Sequence, residues 1–528
     1  MSQDISRQSA ADKAQIARAA GLVMALFIVS RALGLLREMV ISHQFGTSGD
    51  LDAYLAAFRL PDILFQVVAG GALASAFIPT FSTYLAHEDE QGAWRLASAI
   101  INLVLLATTV LAALAWLLAP WLVHTIIAPG FGPARQALTV ELMRVMLVTP
   151  VIFGVSGIAM GILNAEQHFV LPALAPILYN LGIIAGAVLL APERGVDGLA
   201  VGVVAGAFAH LLIQVPGLIR YGMRYTPTLG LHNSGVREVG RLMLPRMLGL
   251  AAVQINFLVT TILASSLVEG SLSALNYAWL LMLLPQGIFA QSVATAAFPT
   301  FSTQAAKGQR AEMRSTLSAT LRAVLYLAVP AAVGLIVLRE PLVQLVFQRG
   351  AFTETSTEMV AWALGLFALG LPAHSVVEIV VRAFYARHDT KTPVSIGIAA
   401  MGLNVVLSLI SIRLFEAVGW MTLGGLALSN SVATTAEMVV LLVIIRRRLE
   451  GLEGRRMLSS LARIGVATAA MGFVAGALAW LLGEYSAWLA GGVAIIVALV
   501  EYVAASLALR TPEPQAVWAM VMSREQRR

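Results

Sequence analysis

Residues 101–119 read INLVLLATTVLAALAWLLA, an apolar run without a charged residue that is long enough to cross a lipid bilayer as one helix. Runs of the same kind recur along the chain, for example at residues 172–190 and 465–482. The 528 residues are 58% hydrophobic and only 12% charged, with a mean hydropathy of +0.81, whereas soluble domains contain about 25% charged residues. The sequence therefore predicts an all-α integral membrane protein and excludes a soluble one.

The apolar runs, with their Gly, Pro and charged interruptions, predict about fourteen transmembrane helices. They are centred near residues 30, 68, 107, 151, 181, 208, 252, 288, 325, 371, 403, 433, 472 and 497. Basic residues accumulate in alternate loops, such as residues 446–456, while the opposite loops hold single ones such as Arg135. Because basic loops remain in the cytoplasm, we expect both termini to be cytoplasmic.

An internal repeat divides the chain. The sequence IPTFST at residues 78–83 returns as FPTFST at residues 298–303, and the link at 165–172 matches that at 386–393. Such an offset of about 220 residues with an even helix number predicts two six-helix lobes in parallel orientation, with a cavity between them. We assign residues 1–19 to a cytoplasmic segment, 20–225 to the N-lobe, 226–450 to the C-lobe, and 451–528 to two further helices and a cytoplasmic tail.

Composition excludes several classes of function. The chain has no cysteine, and its histidines lack HExxH spacing, so we expect no metal and no cofactor. The net charge of +6 comes from basic residues that lie between apolar spans, which argues for the inner face of a membrane and against nucleic acid. The apolar stretch after residue 20 contains Arg31 and Arg37, so we expect no cleavable signal peptide.

Charged residues are concentrated in the first predicted helix. Arg31, Gly34 and Glu38 share one stripe at 100° per residue, and Arg37 lies about 120° from Arg31. Ser30 precedes them. Because a charge inside a span costs about 2.5–3.5 kcal/mol, charges that are present usually face a cavity or a partner. Gly34 would allow a bend that brings both arginines into one space, and is our candidate hinge.

The second predicted helix adds Arg59 and Asp62 on either side of Pro61, a second candidate hinge because proline breaks the helical ladder. Arg31, Arg37 and Arg59 would together suit a phosphate or pyrophosphate group, which guanidinium binds through two parallel hydrogen bonds. The arginines would alternatively pair with Glu38, Asp52 or Asp62, or extend to the membrane interface. The two roles are compatible, and both remain open.

Second-lobe candidates are fewer. Arg246 is a possible phosphate ligand, whereas Glu378 and Arg382, four residues apart, suggest a local salt bridge. His210 and His374 lie in spans, where hydrogen-bonded packing is the more frequent role and proton relay the less frequent one. The remaining polar candidates of this lobe are Gln254, Asn256, Asn404 and Ser408.

The sequence SRALGLLRE at residues 30–38, followed by FG at 45–46 and LDAY at 51–54, resembles the signature of the MurJ/MviN lipid II flippases. Further matches follow in family order. They are AFRLP at 57–61, GALASAFIP at 71–79, APGF at 128–131 and FYARHDTKTP at 384–393. The resemblance covers the repeat region and is most specific in the first two helices.

The resemblance implies a bacterial inner-membrane transporter of the MOP exporter superfamily. It would have two six-helix lobes, a cationic cavity with alternating access, and a lipid groove formed by helices 13 and 14. Its substrate would be the undecaprenyl-pyrophosphate-linked peptidoglycan precursor lipid II, its partners that lipid and the bilayer, and we expect a monomer that is not an enzyme. Arg31, Arg37, Asp52 and Arg59 fall where the family places functionally important charges.

The chain also departs from the family pattern. Phe65, Gln66 and Gly70 stand where relatives usually carry an arginine pair and then an acidic residue, and Leu280 replaces an arginine after Tyr277. Cavity cations, at Phe65 and at Leu280, are therefore absent. The eleventh helix offers Asn404 and Ser408 instead of the carboxylates of sodium-linked members, which argues against sodium coupling.

Other functions remain open beside the lipid II flippase. A flippase for another polyprenyl-linked oligosaccharide would agree with the absent cations. A cation-coupled drug antiporter is disfavoured, because it needs acidic cavity residues and only twelve helices. A non-transporting scaffold for cell-wall enzymes would not depend on the cavity arginines.

Overall fold

The computed structural model describes the backbone of residues 2–69, 71–483, 487–511 and 513, and the side chains of residues 21–67, 76–244, 247, 250, 254–483, 491–511 and 513. In this described part the chain is helical and has no strand. The α-helices are α1 (Ser2–Phe45), α2 (Gly49–Leu64), α3 (Gly71–Ala86), α4 (Glu90–Leu122), α5 (Pro133–Met146), α6 (Thr149–Ala165), α7 (Val170–Ala185), α8 (Ala191–Arg194), α9 (Val196–Leu212), α10 (Val215–Arg220), α11 (Ser234–Ser265), α12 (Ser271–Pro285), α13 (Gln291–Ala306), α14 (Arg310–Val337), α15 (Arg339–Phe347), α16 (Glu354–Ala368), α17 (Leu371–Ala386), α18 (Lys391–Val418), α19 (Leu423–Arg448), α20 (Gly454–Gly483) and α21 (Ala487–Ala508).

Ten helical stretches of the described residues are long and apolar enough to cross a membrane, or eleven if α16 and α17, which meet at a bend of 46°, form one span. The protein is therefore an all-helical, multi-pass membrane protein, as the sequence predicts. The three other expected spans, near residues 30, 68 and 252, fall on α1, on α2 with α3, and on α11. Charged side chains interrupt the apolar character of these segments, as Arg37 does in α1 and Arg59 in α2.

The chain divides into two units, Met1–Ser266 and Leu267–Arg528. The first unit contains α1–α11, and its core forms where α3, α4 and α6 meet. Phe81 stacks on Phe77 at 5.2 Å between ring centroids and meets the edge of Trp94 at 5.9 Å. The helix α11 packs on α3 in this unit, although by the sequence repeat it begins the second half of the chain.

The second unit contains α12–α21. Its core joins α13, α14, α17 and α19 around Phe301, Leu317 and Phe384. The C-terminal helices α20 and α21 pack on each other and on α14, where the Tyr502 hydroxyl donates to the carbonyl of Tyr326 at 2.6 Å. These two helices therefore lie in the second unit.

The 220-residue repeat is present in the local structure. The helix α1 ends at Phe45 and α11 at Ser265, while α4 begins at Glu90 and α14 at Arg310. Within the repeated motif, the hydroxyl of Thr83 donates to the carbonyl of Pro79 at 2.9 Å, and that of Thr303 to Pro299 at 3.0 Å. A threonine four residues after the proline therefore binds the proline's own carbonyl at the same place in both repeats.

Widened, π-type turns also follow the repeat. One spans Phe65–Ala69 after α2, and its counterpart spans Gln286–Ala290 after α12. Two further turns of this type, Val123–Ile127 and Gly186–Leu190, lie in the first unit. Such turns are frequent at functional sites because they re-aim side chains, and the first follows the proline predicted as a hinge.

The helices α7 and α9 approach each other through glycines. A methyl group added at Gly202 would lie 2.8 Å from the Cα atom of Gly186 and 2.9 Å from the carbonyl oxygen of Gly182. Lipid tails are as apolar as leucine, so helices in a bilayer associate through close packing and not through removal from water. The glycines make this packing possible.

The turn between α17 and α18 is fixed by Asp389. Its carboxylate accepts hydrogen bonds from the Thr392 hydroxyl at 2.6 Å and the Thr392 backbone N–H at 3.0 Å, and it pairs with Arg448. These bonds, first of all those from Thr392, lower the pKa of Asp389 to about 2. The ionised carboxylate thus caps the first turn of α18 and joins it to the end of α19.

Replacement of Asp389 by asparagine keeps a capping side chain but removes the charge that pairs with Arg448, and is expected to lower stability near neutral pH by up to about 1 kcal/mol. A carboxylate with a depressed pKa stabilises the fold above its unfolded pKa of about 3.9, and this contribution is lost as the pH falls toward 2. Thermal unfolding in detergent should therefore show a difference between Asp389→Asn and the parent that shrinks from about pH 4 to about pH 2. A difference that stays constant over this range would contradict the assignment.

Candidate functional site

Arg37 lies in the C-terminal half of α1 and makes three side-chain hydrogen bonds. Its Nε and Nη2 atoms donate to Oε1 of Glu38 at 3.1 and 2.5 Å, and Nη1 donates to Oδ1 of Asn180 on α7 at 3.1 Å. The Asn180 amide is itself fixed, because it donates to the carbonyl of Pro176 at 3.0 Å. Glu38 is 9% exposed and the Arg37 side chain 26%. The expected pairing of Arg37 with Glu38 is therefore confirmed, and Asn180 is a partner that the sequence analysis did not identify.

Arg59 lies in the last part of α2 and contacts α11 within the first unit. Its Nε atom donates to the hydroxyl of Thr261 at 3.1 Å, and the guanidinium lies 5.6 Å from the centroid of the Phe257 ring. The Thr261 hydroxyl donates in turn to the carbonyl of Phe257 at 3.0 Å. Asp62 lies one turn further along α2, close enough to act on Arg59 electrostatically.

Arg31 is exposed on α1 and has no hydrogen bond or ion pair with any residue that the structure describes. Ser30 beside it is half-buried. No heavy atom lies within 4 Å of the position that a Cβ atom of Gly34 would take, so the helix has free space at the candidate hinge. The arginines of α1 and α2 thus have separate protein partners, and one of them has none among the described residues.

Three further candidates lie in α2 and α11. Asp52 in the first turn of α2 is 2% exposed, and Pro61 near the end of that helix is buried. The side chain of Arg246 on α11 lies outside the described residues, as does Gly70. Among the described residues no three His, Asp or Glu side chains are placed to hold a metal ion.

Aromatic packing surrounds Phe65 and lies next to Leu280, two of the positions that the sequence analysis singled out as departures from the family pattern. Phe65 packs against Phe153 at 4.9 Å, and Phe153 also contacts Tyr179 and His210 at 5.1 and 5.2 Å. In the second unit, Trp279 packs against Phe367 at 5.3 Å and His374 at 5.6 Å. The half-buried Leu280 follows it. Apolar packing therefore surrounds Phe65 and lies beside Leu280.

Two interpretations of buried polar residues are confirmed. Nδ1 of His210 lies 2.7 Å from the Ser156 hydroxyl, and Nε2 of His374 lies 3.1 Å from Oδ1 of Asn430, so both histidines are hydrogen-bonded within the protein. The Glu378 carboxylate accepts from Arg382 at 2.5 Å, as their spacing predicts.

Several charged residues in or near spans escaped the sequence analysis. Glu437 lies in the middle of α19 and Glu501 in α21, where an acidic residue in an apolar run was a readable signal. Arg322 on α14 forms ion pairs with Glu453 at 3.5 Å and with Glu513 at 3.6 Å. Only the packing of α20 and α21 on α14 brings these last groups together.

Comparison with known proteins gives one consistent result. The family model described as lipid II flippase MurJ matches residues 41–499. The probable lipid II flippase MurJ of Vibrio cholerae serotype O1 is 30% identical over 492 residues, covering 89% of this chain and 90% of that protein. The lipid II flippase MurJ of Burkholderia cenocepacia is 32% identical over 439 residues, covering 82% and 84%.

Solved structures agree with this assignment. A lipid II flippase MurJ in an inward closed conformation superposes with a TM-score of 0.77 at 26% identity, over 93% of this chain and 99% of that one. An inward-facing multidrug transporter of the MATE family, from the MOP superfamily, matches with a TM-score of 0.66 at 15% identity over 82% of this chain, which shows a shared fold only. The match to the family model over most of the sequence, supported by these relatives, shows that the chain belongs to the MurJ family of lipid II flippases.

Proposed function

We propose that the protein moves lipid II, the undecaprenyl-pyrophosphate-linked peptidoglycan precursor, from the cytoplasmic to the outer leaflet of the bacterial inner membrane by alternating access. Family membership supports the transport class, and the relatives it matches along most of their length are named for this substrate. The protein is a transporter and not an enzyme. Its substrate is a lipid whose tail stays in the bilayer while its charged head group crosses.

The observation that carries the proposal is the state of Arg59. Its Nε atom is anchored by Thr261, while its two terminal nitrogens donate to no residue that the structure describes. A pyrophosphate oxygen pair fits this free edge, because guanidinium presents two parallel N–H donors. Arg31 donates to none of the described residues, and Arg37 would exchange Glu38 or Asn180 for phosphate. Ser30, Glu38, Asp52 and Arg246 are proposed to complete the set of residues around the head group.

The experiment is complementation of a bacterial strain depleted of its own lipid II flippase. The full-length protein should restore growth and normal cell shape, while a variant that lacks Arg31, Arg37 and Arg59 should not. Lysis of the depleted strain, with the parent protein present in the membrane at normal abundance, would contradict the assignment.

We propose fourteen spans with cytoplasmic termini, divided into six (residues 20–225), six (226–450) and two (451–528). Reporter fusions after Arg224 and after Arg456 should both give a cytoplasmic signal, because the basic loops then fall on one side of the membrane. A fusion after Arg135, in a loop of the opposite side, serves as the control and should give a periplasmic signal. A periplasmic signal at Arg224 or Arg456 would exclude this topology.

Removal of the Arg59 guanidinium is expected to weaken lipid II binding by about tenfold or more, because a charge-assisted hydrogen bond contributes about 1.5–3 kcal/mol. Binding to purified Arg59→Ala can be compared with Thr261→Val, which removes only the anchor and should have the smaller effect. Arg246→Ala tests the second-lobe cation in the same assay. Unchanged binding in both alanine variants would show that neither arginine holds the head group.

A second candidate function is transport of another polyprenyl-linked oligosaccharide. The aromatic packing of Phe65 and the apolar Leu280, at positions where relatives usually carry arginines, favours a less anionic head group. A Leu280→Arg variant discriminates the two candidates. A gain in lipid II binding would indicate that a cation is missing for this substrate, and profiling of the lipids retained by the parent protein would identify the alternative.

A further inference from the structure

A cavity of about 260 Å³ lies in the second unit, between the turn that joins α13 to α14 and the turn that joins α17 to α18. Its lining includes Gln304, Gly308, Arg310, Met313, Arg387 and His388. None of these residues belongs to the proposed lipid II site. The cavity is open at the end of the helices and carries two arginines.

The positive charge of this cavity is poorly neutralised. The Arg387 guanidinium has no hydrogen bond and no ion pair within 4 Å among the described residues. Burial and the nearby Arg310 and Arg448 lower its pKa, against the opposing effect of Asp389. Among the described residues Arg310 forms an ion pair with Glu450 alone, at 3.4 Å, and both side chains are well exposed, so this pair contributes little. Arg448 is committed to Asp389 and Thr392. A bound anion would relieve the repulsion.

The other repeat shows that the fold does not require these arginines. Glu90, the first residue of α4, corresponds to Arg310, the first residue of α14, and Glu166 after α6 corresponds to Arg387 after α17. The residues that follow, Gln167 and His388, even share a positive φ of 57° and 58°. Burial and the neighbouring Glu90 raise the pKa of Glu166. The same pair of positions thus carries acidic side chains in the first repeat and basic side chains in the second.

The cavity adjoins a helix whose apolar surface is largely exposed. The helix α18 begins at Lys391, next to the cavity, and only 11% of its apolar window is buried inside the protein. Val394 and Ile398, in its first two turns, are 46% and 53% exposed. A lipid whose head group entered the cavity would therefore find an apolar surface for its chains beside it.

We propose that this cavity binds a phosphate group through Arg310 and Arg387, and that the group is the head group phosphate of an anionic phospholipid at the membrane surface. Two guanidinium groups supply charge-assisted hydrogen bonds to phosphate oxygens. Basic pockets at the ends of spans are suited to anionic lipids in the same way. Soluble phosphate shares this chemistry and is the other possible source.

The test uses the purified full-length protein in detergent. Dioleoylphosphatidylglycerol, dioleoylphosphatidylcholine and inorganic phosphate are added separately, and retained lipid is measured by native mass spectrometry with the thermal midpoint as a second readout. The test variant is Arg310→Gln with Arg387→Gln. The control Arg447→Gln with Arg455→Gln removes the same charge from exposed positions at the same end of the unit. Glu90→Gln with Glu166→Gln is the control in the first repeat.

Phosphatidylglycerol should bind more tightly than phosphatidylcholine, and the test variant should lose about tenfold or more in affinity while both controls keep it. If inorganic phosphate at low millimolar concentration raises the thermal midpoint, and phosphatidylglycerol binds no better than phosphatidylcholine, the cavity is a phosphate site whose ligand is soluble phosphate. Equal binding by the parent, the test variant and the controls would overturn the proposal. If the double variant does not fold, Arg387→Lys replaces it. This variant keeps the charge and should lose less affinity for phosphatidylglycerol. Parent-like affinity in it would overturn a bidentate contact between the Arg387 guanidinium and the phosphate.

Discussion

Replacement of Arg37 by alanine is expected to abolish transport and also to lower the stability of the first unit. The guanidinium is the partner of Glu38, which is 9% exposed, and of Asn180 on the neighbouring α7. Removing one member of a buried ion pair costs about 3–5 kcal/mol, because the other charge remains without compensation. Transport measured in vesicles should fall to background, and the thermal midpoint should fall with it.

A double variant separates the two consequences. Arg37→Ala combined with Glu38→Gln removes the uncompensated carboxylate, so it should recover much of the lost stability and none of the transport. Arg31→Ala is the matched variant in the same helix, since Arg31 has no described partner to leave unpaired. It should reduce transport at unchanged stability. Transport at the parent rate in a folded Arg37→Ala, Glu38→Gln protein would exclude Arg37 from the head group site.

Introduction of a single methyl group at Gly202 is expected to prevent correct folding of the first unit. The new Cβ atom would lie 2.8 Å from the Cα atom of Gly186 and 2.9 Å from the Gly182 carbonyl, and backbone atoms of a packed helix cannot move aside cheaply. Overpacking usually costs about 1–3 kcal/mol where side chains can adjust, and here the obstacle is backbone. The measurement is the yield of monodisperse protein on size-exclusion chromatography, with the thermal midpoint of what remains.

Gly240→Ala is the matched control for Gly202→Ala. Gly240 is a helical glycine of the same unit, in α11, and no heavy atom lies within 4 Å of its added Cβ position. Alanine at an open helical position is favoured over glycine by up to about 1 kcal/mol, so this variant should be as stable as the parent or more so. A Gly202→Ala protein with the parent's yield and midpoint would show that α7 and α9 can separate without loss.

The first unit joins closely packed helices through a few polar contacts. Arg37 joins α1 to α7, Arg59 joins α2 to α11, and glycines hold α7 against α9. Asn180 and Glu38 position Arg37, and Thr261 positions Arg59. Each guanidinium keeps N–H donors that a phosphate group can use. A transporter of a charged head group needs this combination, because its cations must be held in place and yet be able to exchange partners.

The candidate site was only partly predictable. The stripe on α1 indicated Arg31, Gly34 and Glu38, and the short distance between Arg37 and Glu38 in sequence made their pairing an obvious alternative. The role of Asn180 was not predictable, because it comes from a helix more than 140 residues away. The same holds for Thr261 beneath Arg59 and for the pocket of Arg310 and Arg387, whose members come from separate turns.

The sequence by itself determined the fold class, the approximate positions of most spans and the repeat, because these depend on local properties: apolar length, charge and the order of residues along the chain. It also led to the family, whose motifs are continuous stretches. Only the tertiary structure decided which partner each buried charge has, that α11 packs on α3, and that the same pair of positions is acidic in one repeat and basic in the other. Such contacts join residues far apart in the chain, and helices in a bilayer choose their neighbours by close packing and polar contacts, which hydropathy does not encode.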